Sequence, residues 1–368
     1  MYIATYIIDI AVLFYLVGLL YSSTALNNNR KKPFLIGIIL TIIIILSEVG
    51  TVFTDNGSLE LRSINVLCNI LGFALTPIIP IAITLIFDGR LLRRYKFLLV
   101  PTLINIVATV LSPLFRLIFY VDANNHYFRG DYFFIFIIVY IINFLILVIS
   151  TLKIGKNYNY PIMWKLFALS LFTIIGTSIQ IVYPLAYSSW HCVTLSLLLY
   201  FLLMSEFDSS FDKLTGLYNR AAFDKAVKQL AETKGFSIIL IDINDFKSVN
   251  DTYGHEYGDT VIKEVAEIIR KSFNRYFTCY RFGGDEFSII GNETDQEKIE
   301  YQLRTMTDNL AEMREKGTPL PTVSYGYSIF KGGEKLDFHK AFKEADDQMY
   351  NFKKKHKADA TQETTVPF

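Results

Sequence analysis

Cysteine is scarce in this sequence, and its charges almost cancel. Three cysteines occur in 368 residues, and Cys68, Cys192 and Cys279 are too far apart to match a zinc spacing or a disulfide framework. We therefore interpret each as a small buried apolar residue. The net charge is +1, and no long basic patch exists apart from KKKHK at Lys353 to Lys357. We accordingly expect no nucleic-acid partner.

Charged residues are also scarce in the first 204 positions, which consist mainly of long apolar runs. A helix needs roughly 20 mostly apolar residues to cross a bilayer, and seven segments approach or exceed that length. We predict that the following segments span a lipid bilayer: Tyr2 to Leu20, Pro33 to Phe53, Ser63 to Phe87, Phe97 to Phe119, Tyr132 to Leu152, Leu166 to Tyr187, and a short last one, Ser189 to Met204.

The composition changes to that of an ordinary soluble protein from Asp212 onward, so the length and the composition together indicate two domains. We predict a transmembrane sensor or anchor domain at 1–204, a short linker at 205–211, a soluble domain at 212–357 and a disordered tail at 358–368. The linker contains no heptad run and no Gly/Ser-rich stretch. Movement of the last helix should therefore reach the soluble domain almost directly.

The distribution of lysine and arginine predicts the orientation. The first apolar segment lacks the basic start and the cleavage site of a signal peptide, so we expect it to remain as a span. The loops after the first, third and fifth spans carry most of the positive charge: Arg30, Lys31, Lys32, Arg90, Arg93, Arg94, Lys96, Lys153, Lys156 and Lys165. The intervening loops carry little beyond Arg62 and Arg129. By the positive-inside rule the N-terminus lies outside and the soluble domain lies in the cytoplasm.

Two acidic residues, Asp9 and Glu48, fall within the apolar spans. Charged side chains are costly in the hydrocarbon layer and often mark a functional site. The alternative is that both residues lie near span ends or form hydrogen bonds between helices. The loops on the outer side, such as Thr54 to Arg62 and Tyr120 to Asp131, are too short for an extracellular sensor domain. A small ligand would therefore have to bind within or between the helices.

The soluble half alternates strands and helices. The apolar run Phe236 to Ile243 is typical of a buried central strand. We predict an amphipathic helix before it and a loop around NDTYGHEYGD after it, followed by a helix from about Asp259 to Phe273. A strand pair around two glycines, a helix, a strand and a final helix to about Lys355 complete the domain. This order predicts an α/β or α+β domain with a central mixed sheet.

The segment RFGGDEFSII, Arg281 to Ile290, places two carboxylates beside two glycines at a predicted hairpin tip. If this hairpin neighbours the strand that ends at Asp242, then Asp285, Glu286 and Asp242 converge. A few carboxylates suit magnesium, which proteins usually hold together with substrate phosphates. The pattern therefore indicates a nucleotide site.

Other polar residues agree with a nucleotide. Lys247 is five residues past Asp242 and could reach a phosphate chain. The Asp259 carboxylate could accept hydrogen bonds from N1 and N2 of guanine, and the Asn250 amide could donate to an acceptor on the base. Taken singly, Asp242 also fits a strand-end turn, Lys247 a solvated face, and Asn250 a turn former.

Four segments in this order resemble the GGDEF family of diguanylate cyclases. They are DKLTGLYNR at Asp212 to Arg220, DINDFKSVNDTYGHEYGD at Asp242 to Asp259, RFGGDEF at Arg281 to Phe287, and EADDQMYNFKKK at Glu344 to Lys355. The resemblance implies a GGDEF cyclase domain behind an α-helical bundle of about seven spans, in a bacterial cytoplasmic (inner) membrane. It also implies condensation of two GTP molecules into cyclic di-GMP with release of pyrophosphate, a homodimer as the active species, and cyclic di-GMP effectors downstream.

The resemblance also implies a role for each matching residue. Asp242, the carbonyl of Ile243 and Asp285 would hold magnesium, or manganese in its place. Asp285 or Glu286 would help to deprotonate the attacking 3′-hydroxyl. Asn250 and Asp259 would bind the guanine, and His255 would support the substrate loop. Lys247, Lys353 and Lys357 would hold the phosphates and offset developing charge, which makes Lys247 a further catalytic residue.

Three positions depart from the family pattern. Asn244 stands where many members carry a second aspartate, so one negative charge near the metal is missing. The inhibitory RxxD motif is NRYF here, Asn274 to Phe277, so product inhibition through that site is not expected. After the last helix the usual Gly-Arg is His356 and Lys357, which keeps a positive charge but loses the fork geometry of arginine and could weaken triphosphate binding.

Two further functions compete with the cyclase. A catalytically inactive nucleotide receptor would signal to a partner protein, but such a receptor should have lost at least one of the site residues. A cyclase that uses adenine is disfavoured, because adenine offers Asp259 no matching pair of donors.

Overall fold

The computed structural model describes residues 2–89, 91–157, 162–183, 188–230, 235–273, 276–332 and 337–363. Contacts divide the chain into two compact units, Met1–Asp208 and Ser209–Phe368. The first is helical, and the second contains a five-stranded mixed sheet. The predicted fold class, a helical unit followed by a domain with a central mixed sheet, is confirmed.

The first unit is built from apolar helices at the predicted positions. They are α1 (Tyr2–Ser22), α2 (Asn28–Thr54), α3 (Arg62–Leu75), α4 (Ile78–Phe87), the short α5 (Leu91–Arg94), α6 (Val100–Phe115), α7 (Phe134–Asn157), α8 (Ile162–Val182) and α9 (Ser189–Asp208). Within the described residues, six segments are long and apolar enough to cross a membrane, with α3 and α4 counted as one. The apolar part of α8, Trp164–Ile179, is shorter.

Two predicted spans differ in detail. The third is divided into α3 and α4 at Pro77, because proline cannot donate the helical hydrogen bond and its ring clashes with the preceding turn. The fourth ends at Phe115, where Arg116 adopts a left-handed conformation with φ of 54°. Phe119 therefore belongs to a strand, not to the span as predicted.

The loop after α6 forms a hairpin that the sequence analysis missed. Strands β1 (Phe119–Val121) and β2 (Tyr127–Arg129) pair antiparallel. The Asn125 amide in their turn donates to the Thr54 carbonyl at the end of α2, and its oxygen accepts from Asn65 on α3. The hairpin is therefore anchored on the helices.

The helix α9 begins at Ser189 as predicted and continues to Asp208, beyond Met204. The first four residues of the predicted linker, 205–208, are therefore helical. This extends the last span to 20 residues, which removes its apparent shortness.

The second unit consists of strands and helices in alternation. Its elements are β3 (Tyr218–Asn219), α10 (Arg220–Leu230), β4 (Phe236–Ile243), α11 (Phe246–Tyr253), α12 (His255–Ser272), β5 (Phe277–Gly283), β6 (Glu286–Gly291), α13 (Gln296–Glu315), β7 (Val323–Phe330) and α14 (Phe338–Glu363). The sheet order is β3-β5-β6-β4-β7, with β3 parallel to β5 and the other pairs antiparallel.

Every residue of β4 is buried, as expected for a strand with neighbours on both sides and helices on both faces. Its side chains alternate between the two faces. Ile239, Ile241 and Ile243 join the core formed with α12 and α13. Phe236 lies on the opposite face and stacks on Phe338 of α14, with ring centroids 6.1 Å apart. By the same alternation Asp242 faces the α14 side.

Two predictions in this unit need correction. The segment around NDTYGHEYGD is not a loop but two consecutive helices, α11 and α12, joined at Gly254 with φ of 83°. The last helix continues to Glu363, so residues 358–363 are helical and not a disordered tail. Residues 364–368 lie outside the described part.

Candidate functional site

Two carboxylates face each other where β4 ends. Asp242 and Glu286 are directly opposite in the antiparallel pair of β4 and β6, so their side chains share one face of the sheet. That face is covered by α14, whose Lys353 ammonium forms an ion pair with the Asp242 carboxylate. The Asp242 side chain is 10% exposed and the Lys353 side chain 32% exposed. The site is therefore partly shielded from water.

The turn between β5 and β6 brings a third carboxylate to this point. Gly283 and Gly284 have φ of 139° and 54°, values that side-chain-bearing residues rarely adopt. The Asp285 carbonyl accepts a hydrogen bond of 3.2 Å from the Ile243 amide. The turn is thus fixed to the end of β4, and Asp285 lies beside Asp242.

Burial and the crowding of negative charges raise the pKa values of two of these carboxylates, Asp285 and Glu286. Burial raises the pKa of Asp285, and the charge of Asp242 raises it further against the opposing effect of Lys353 and Arg281. Burial also raises the pKa of Glu286, and so do the charges of Asp242, Asp285 and Asp346, with Lys353 opposing. Four carboxylates and one ammonium leave an excess of negative charge that a divalent cation would relieve.

The residues fit a metal ion whose ligands come partly from the protein and partly from the substrate. Within the described part of the chain, no three His, Cys, Asp or Glu side chains are grouped as a complete metal site. The predicted set needs only the carboxylates of Asp242 and Asp285 and the carbonyl of Ile243. Magnesium usually takes one or two carboxylates and completes its shell with phosphate oxygens and water. The mutual repulsion of these carboxylates agrees with such a site.

The predicted base-binding residues lie on α11 and α12. Asn250 is half-buried on α11, and Asp259 is exposed on the first turns of α12. A side chain at Gly258 would place its Cβ 1.9 Å from the Asn250 Oδ1 atom. Gly258 therefore leaves the space that the Asn250 amide occupies, directly beside Asp259.

The residues predicted to bind phosphates or to support the substrate loop lie in different parts of the domain. Lys247 is exposed on α11, and His255 is exposed at the start of α12. Lys353 lies at the carboxylate cluster, as described above, whereas the side chain of Lys357 is outside the described part, as is that of His356. Asn274 of the NRYF segment is also outside it, so the expectation of no product inhibition stays a prediction.

Asn244, which departs from the family pattern, is buried in a small hydrogen-bond network. Its amide donates to the Thr322 hydroxyl at 2.9 Å, and its oxygen accepts from the Ser324 hydroxyl at 2.7 Å. Its backbone N–H donates to the Thr322 carbonyl. The residue after Ile243 is therefore held against the start of β7, which fixes the strand end that carries the predicted ligands.

The role of Arg281 was missed, although it lies within the RFGGDEF motif. Its guanidinium donates to the Gly284 carbonyl at 2.8 and 3.1 Å and forms an ion pair of 3.0 Å with Asp212. Burial alone would raise the pKa of Asp212, but hydrogen bonds from Thr215 and the contact with Arg281 outweigh it, so the pKa is lowered. Arg281 thus ties the glycine turn to the DKLTG turn.

That connection continues to the first residues of this unit. The Asn219 amide donates to the Ser209 carbonyl at 2.7 Å, and the Asn219 N–H donates to the Ser210 carbonyl at 2.9 Å. Phe211 stacks on Tyr218, with ring centroids 4.6 Å apart.

Asp346 was also missed as a residue of the site. Its negative charge is one of those that raise the pKa of Glu286. Pairs of residues distant in sequence give no local signal of such contacts.

A family model described as "Diguanylate cyclase, GGDEF domain" matches residues 209–359. This range contains all the residues of the predicted site. The match begins three residues before the predicted start of the soluble domain, at the first residue of the second structural unit.

Curated relatives match a part of the chain of about the same length. An "uncharacterized membrane protein" of Staphylococcus haemolyticus is 34% identical over 154 residues, which cover 39% of this chain and 43% of the relative. One from Staphylococcus aureus is 30% identical over the same length and the same shares. The alignment thus spans less than half the length of these relatives. Among solved structures, the GGDEF domain of DgcB from Caulobacter crescentus in complex with c-di-GMP is 30% identical, covering 40% of this chain and 91% of that one, with a TM-score of 0.35.

Proposed function

Because residues 209–359 form a GGDEF domain that follows a set of membrane-spanning helices, we propose that this protein is a membrane-bound diguanylate cyclase. It condenses two GTP molecules into cyclic di-GMP and releases pyrophosphate. A GGDEF domain by itself indicates either such an enzyme or a cyclic-di-GMP-binding protein of the same fold. The observation that carries the enzyme is the convergence of Asp242, Asp285 and Glu286 at the end of β4, where burial and neighbouring negative charge raise the pKa values of Asp285 and Glu286.

The reaction needs a base at the attacking hydroxyl. In each half-reaction the 3′-oxygen of one GTP attacks the α-phosphorus of the other, and the bond from that phosphorus to the pyrophosphate oxygen breaks. Asp285 or Glu286 takes the hydroxyl proton. Their raised pKa values support this role, because a stronger base accepts the proton more readily.

The remaining residues hold the substrate. Magnesium or manganese, bound by Asp242, Asp285 and the Ile243 carbonyl, would neutralise phosphate charge and polarise the phosphorus centre. Lys353 lies close enough to Asp242 to contact a phosphate bound beside that carboxylate, and Lys247 and Lys357 add positive charge along the chain of phosphates. Asp259 and Asn250 bind the guanine edge, and His255 supports the junction between α11 and α12 that lies between them. Each domain holds one GTP, so the active species is a homodimer.

The proposed orientation is N-terminus outside and GGDEF domain in the cytoplasm of a bacterial cell. Contacts within the first unit support a common side for the basic loops. Arg30 at the start of α2 donates to the Ile86 carbonyl near the end of α4 and forms an ion pair of 3.2 Å with Asp208 at the end of α9. Lys165 near the start of α8 lies 3.5 Å from Glu206. A reporter fused after Asp208 should therefore give a cytoplasmic signal, and a periplasmic signal would overturn this topology.

The experiment that tests the enzyme separates turnover from binding. The full-length protein in lipid nanodiscs is incubated with GTP and magnesium, and products are separated by chromatography. The proposal expects cyclic di-GMP and pyrophosphate from the wild type and none from Asp285→Ala. Tight binding of GTP or cyclic di-GMP by a wild type that forms no product would instead establish the alternative, a receptor that signals to a partner protein.

We further propose that the membrane domain senses a signal. Asp208 is the last residue of α9, and the next residues, Ser209 and Ser210, are held by Asn219. The chain then reaches Asp212, whose partner Arg281 holds the glycine turn. A change in α9 therefore has a short covalent route to a segment that is tied to the catalytic turn.

A further inference from the structure

The membrane unit contains a cavity of about 470 Å³, which is within the usual size range of small-molecule sites. It lies among α2, α3, α7 and the start of α9, and the anchored β1-β2 hairpin contributes to its wall. In the proposed orientation Asp55 and Arg129 belong to the outer loops. The cavity is therefore in the outer half of the bundle.

One wall of the cavity is aromatic and well packed. Phe73 is in contact with Phe136 at 5.1 Å, Phe133 at 5.9 Å and Tyr127 at 6.2 Å between ring centroids, and Phe136 stacks on Tyr140 at 6.1 Å. Rings that support one another keep the wall in place without a ligand. They also present faces that attract cations.

The charged groups of the described lining favour a cation. Glu48 on α2 and Asp55 contribute two negative charges, and Arg129 contributes one positive charge. The Arg129 guanidinium lies over the Phe133 ring, 4.7 Å from its centroid. The Trp190 indole N–H donates to the Glu48 carboxylate, which fixes this carboxylate in a cavity that aromatic side chains also line. A carboxylate among aromatic faces is the arrangement by which proteins recognise organic ammonium groups.

The cavity also touches the helix that leads to the GGDEF domain. Trp190 is the second residue of α9, and Ser189 before it also lines the cavity. The same helix ends at Asp208. A ligand that contacts Glu48 and Trp190 therefore acts on both α2 and the first turn of α9.

We propose that this cavity binds a small amphipathic organic cation, whose ammonium group contacts Glu48 and whose apolar body packs on Phe73, Phe136 and Tyr140. Binding shifts the first turn of α9 through Trp190 and thereby changes cyclic di-GMP synthesis. The signalling step rests on the proposed cyclase activity, whereas the binding step does not.

Tryptophan fluorescence can test binding directly. The chain has two tryptophans, and Trp164 is 69% exposed and does not line the cavity. A Trp164→Phe variant in nanodiscs therefore reports on Trp190 alone. Three probes of one size are titrated with excitation at 295 nm: 2-phenylethylamine, 2-phenylethanol and phenylacetate. The proposal expects a saturable change with the amine, in the millimolar range or tighter for so small a probe, and at least tenfold weaker effects with the alcohol and the acid.

Variants then locate the binding. Glu48→Gln should weaken the amine at least tenfold and leave the alcohol within about twofold, since an ion pair in a shielded site is lost while the apolar contacts remain. Phe136→Ala should weaken all three probes. Glu60→Gln, which removes an exposed acid from the same outer side, is the matched control and should change nothing. Equilibrium dialysis with radiolabelled amine repeats each comparison without relying on the indole of Trp190.

Equal affinity for the three probes, an unchanged amine affinity in Glu48→Gln, or no saturable binding by dialysis would each overturn the cation site. If binding is found and the amine leaves the rate of cyclic di-GMP formation unchanged, only the signalling step fails. If the wild type makes no cyclic di-GMP at all, the proposed function fails and the binding result still stands.

Discussion

Carboxylates occupy shielded positions in both halves of the molecule, but their surroundings differ. In the membrane unit each of two acids has a dedicated partner on the first turn of α9: Asp9 contacts the His191 ring, and Glu48 accepts from the Trp190 indole. In the GGDEF unit Asp242, Asp285 and Glu286 face one another. Their main cationic neighbour on α14 is Lys353.

The difference shows what each arrangement can do. A carboxylate with a built-in hydrogen-bond donor is oriented by the protein, and where that donor is neutral, as the Trp190 indole is for Glu48, the carboxylate keeps its negative charge. Carboxylates that repel one another can be compensated by a group from outside, and here we propose a divalent cation with substrate phosphates. Burial of an acid is therefore weak evidence for a site, whereas several mutually repelling acids are strong evidence.

The largest effect should come from removing one of the repelling acids. Asp285→Asn should lower the rate of cyclic di-GMP formation about 10²–10³-fold, because metal-assisted charge stabilisation amounts to several kcal/mol. The same change should raise the melting temperature of the metal-free GGDEF unit by about 1–2 °C, allowing for solvent screening, because it relieves repulsion. Glu312→Gln, on an exposed part of α13, is the control. Loss of both activity and stability would mean that Asp285 is a structural residue.

A smaller effect should come from the base-binding acid. Asp259→Asn should reduce kcat/KM for GTP about 10–100-fold, since a hydrogen bond to a charged group contributes about 1.5–3 kcal/mol. It should reduce it much less for inosine triphosphate, which lacks the 2-amino group. Kinetics with both nucleotides measure this difference. An equal loss for both would show that Asp259 does not contact that amino group.

Each unit also contains a buried asparagine, and the two can be compared by the unfolding free energy that is lost when the side chain is removed. Asn244→Ala leaves the Thr322 and Ser324 hydroxyls without this partner and should cost about 1–3 kcal/mol of unfolding free energy. Asn143→Ala, which removes donors to Pro77 and Thr102 in the membrane unit, should cost about 0.6 kcal/mol. Asn244→Asp keeps the bond from Ser324 and lets the Thr322 hydroxyl donate to the carboxylate instead of accepting, so it should cost less than the alanine change. Urea unfolding followed by pulse proteolysis gives the three values. A larger cost at Asn143 than at Asn244 would reverse the expected order.

The repelling acids also predict opposite pH trends for stability and activity. The raised pKa values of Asp285 and Glu286 mean that the folded unit keeps these protons to a higher pH than the unfolded chain. With chelator present, the unfolding free energy should therefore fall as pH rises through the interval between the ordinary and the raised pKa. Activity should rise over the same interval, because the metal and the attacking hydroxyl require ionised carboxylates. Parallel trends would contradict the assignment of these two residues.

Added cyclic di-GMP is expected to have no effect on the rate of its own synthesis, which makes this the smallest effect predicted. The NRYF segment has asparagine where the inhibitory RxxD motif has arginine, and phenylalanine where the motif has aspartate. Added cyclic di-GMP should therefore leave the initial rate unchanged. Initial rates at increasing product concentration measure this directly. Inhibition at micromolar product would reveal a second site that the sequence does not show.

Much of the fold followed from patterns of apolar residues. The continuous run from Phe236 to Ile243 predicted the central strand, and the long runs before Met204 predicted the spans, because burial in a sheet or a bilayer demands apolar side chains along the whole element. The helix α11 was missed because its short polar sequence carries turn-forming residues that the packing against α12 overrides. The β1-β2 hairpin was missed because its anchor is the contact of Asn125 with α2 and α3, far away in sequence.

The sequence by itself determined the two domains, the order of the motifs and the identity of the acids at the glycine turn, since these depend on residue type and local spacing. Only the tertiary structure decided which charges meet. It placed Lys353 on Asp242, Arg281 between Asp212 and Gly284, and Trp190 on Glu48. The physical reason is that hydrogen bonds and ion pairs act over a few ångströms, and it is the folding of the chain that brings residues 69 to 142 positions apart within that distance.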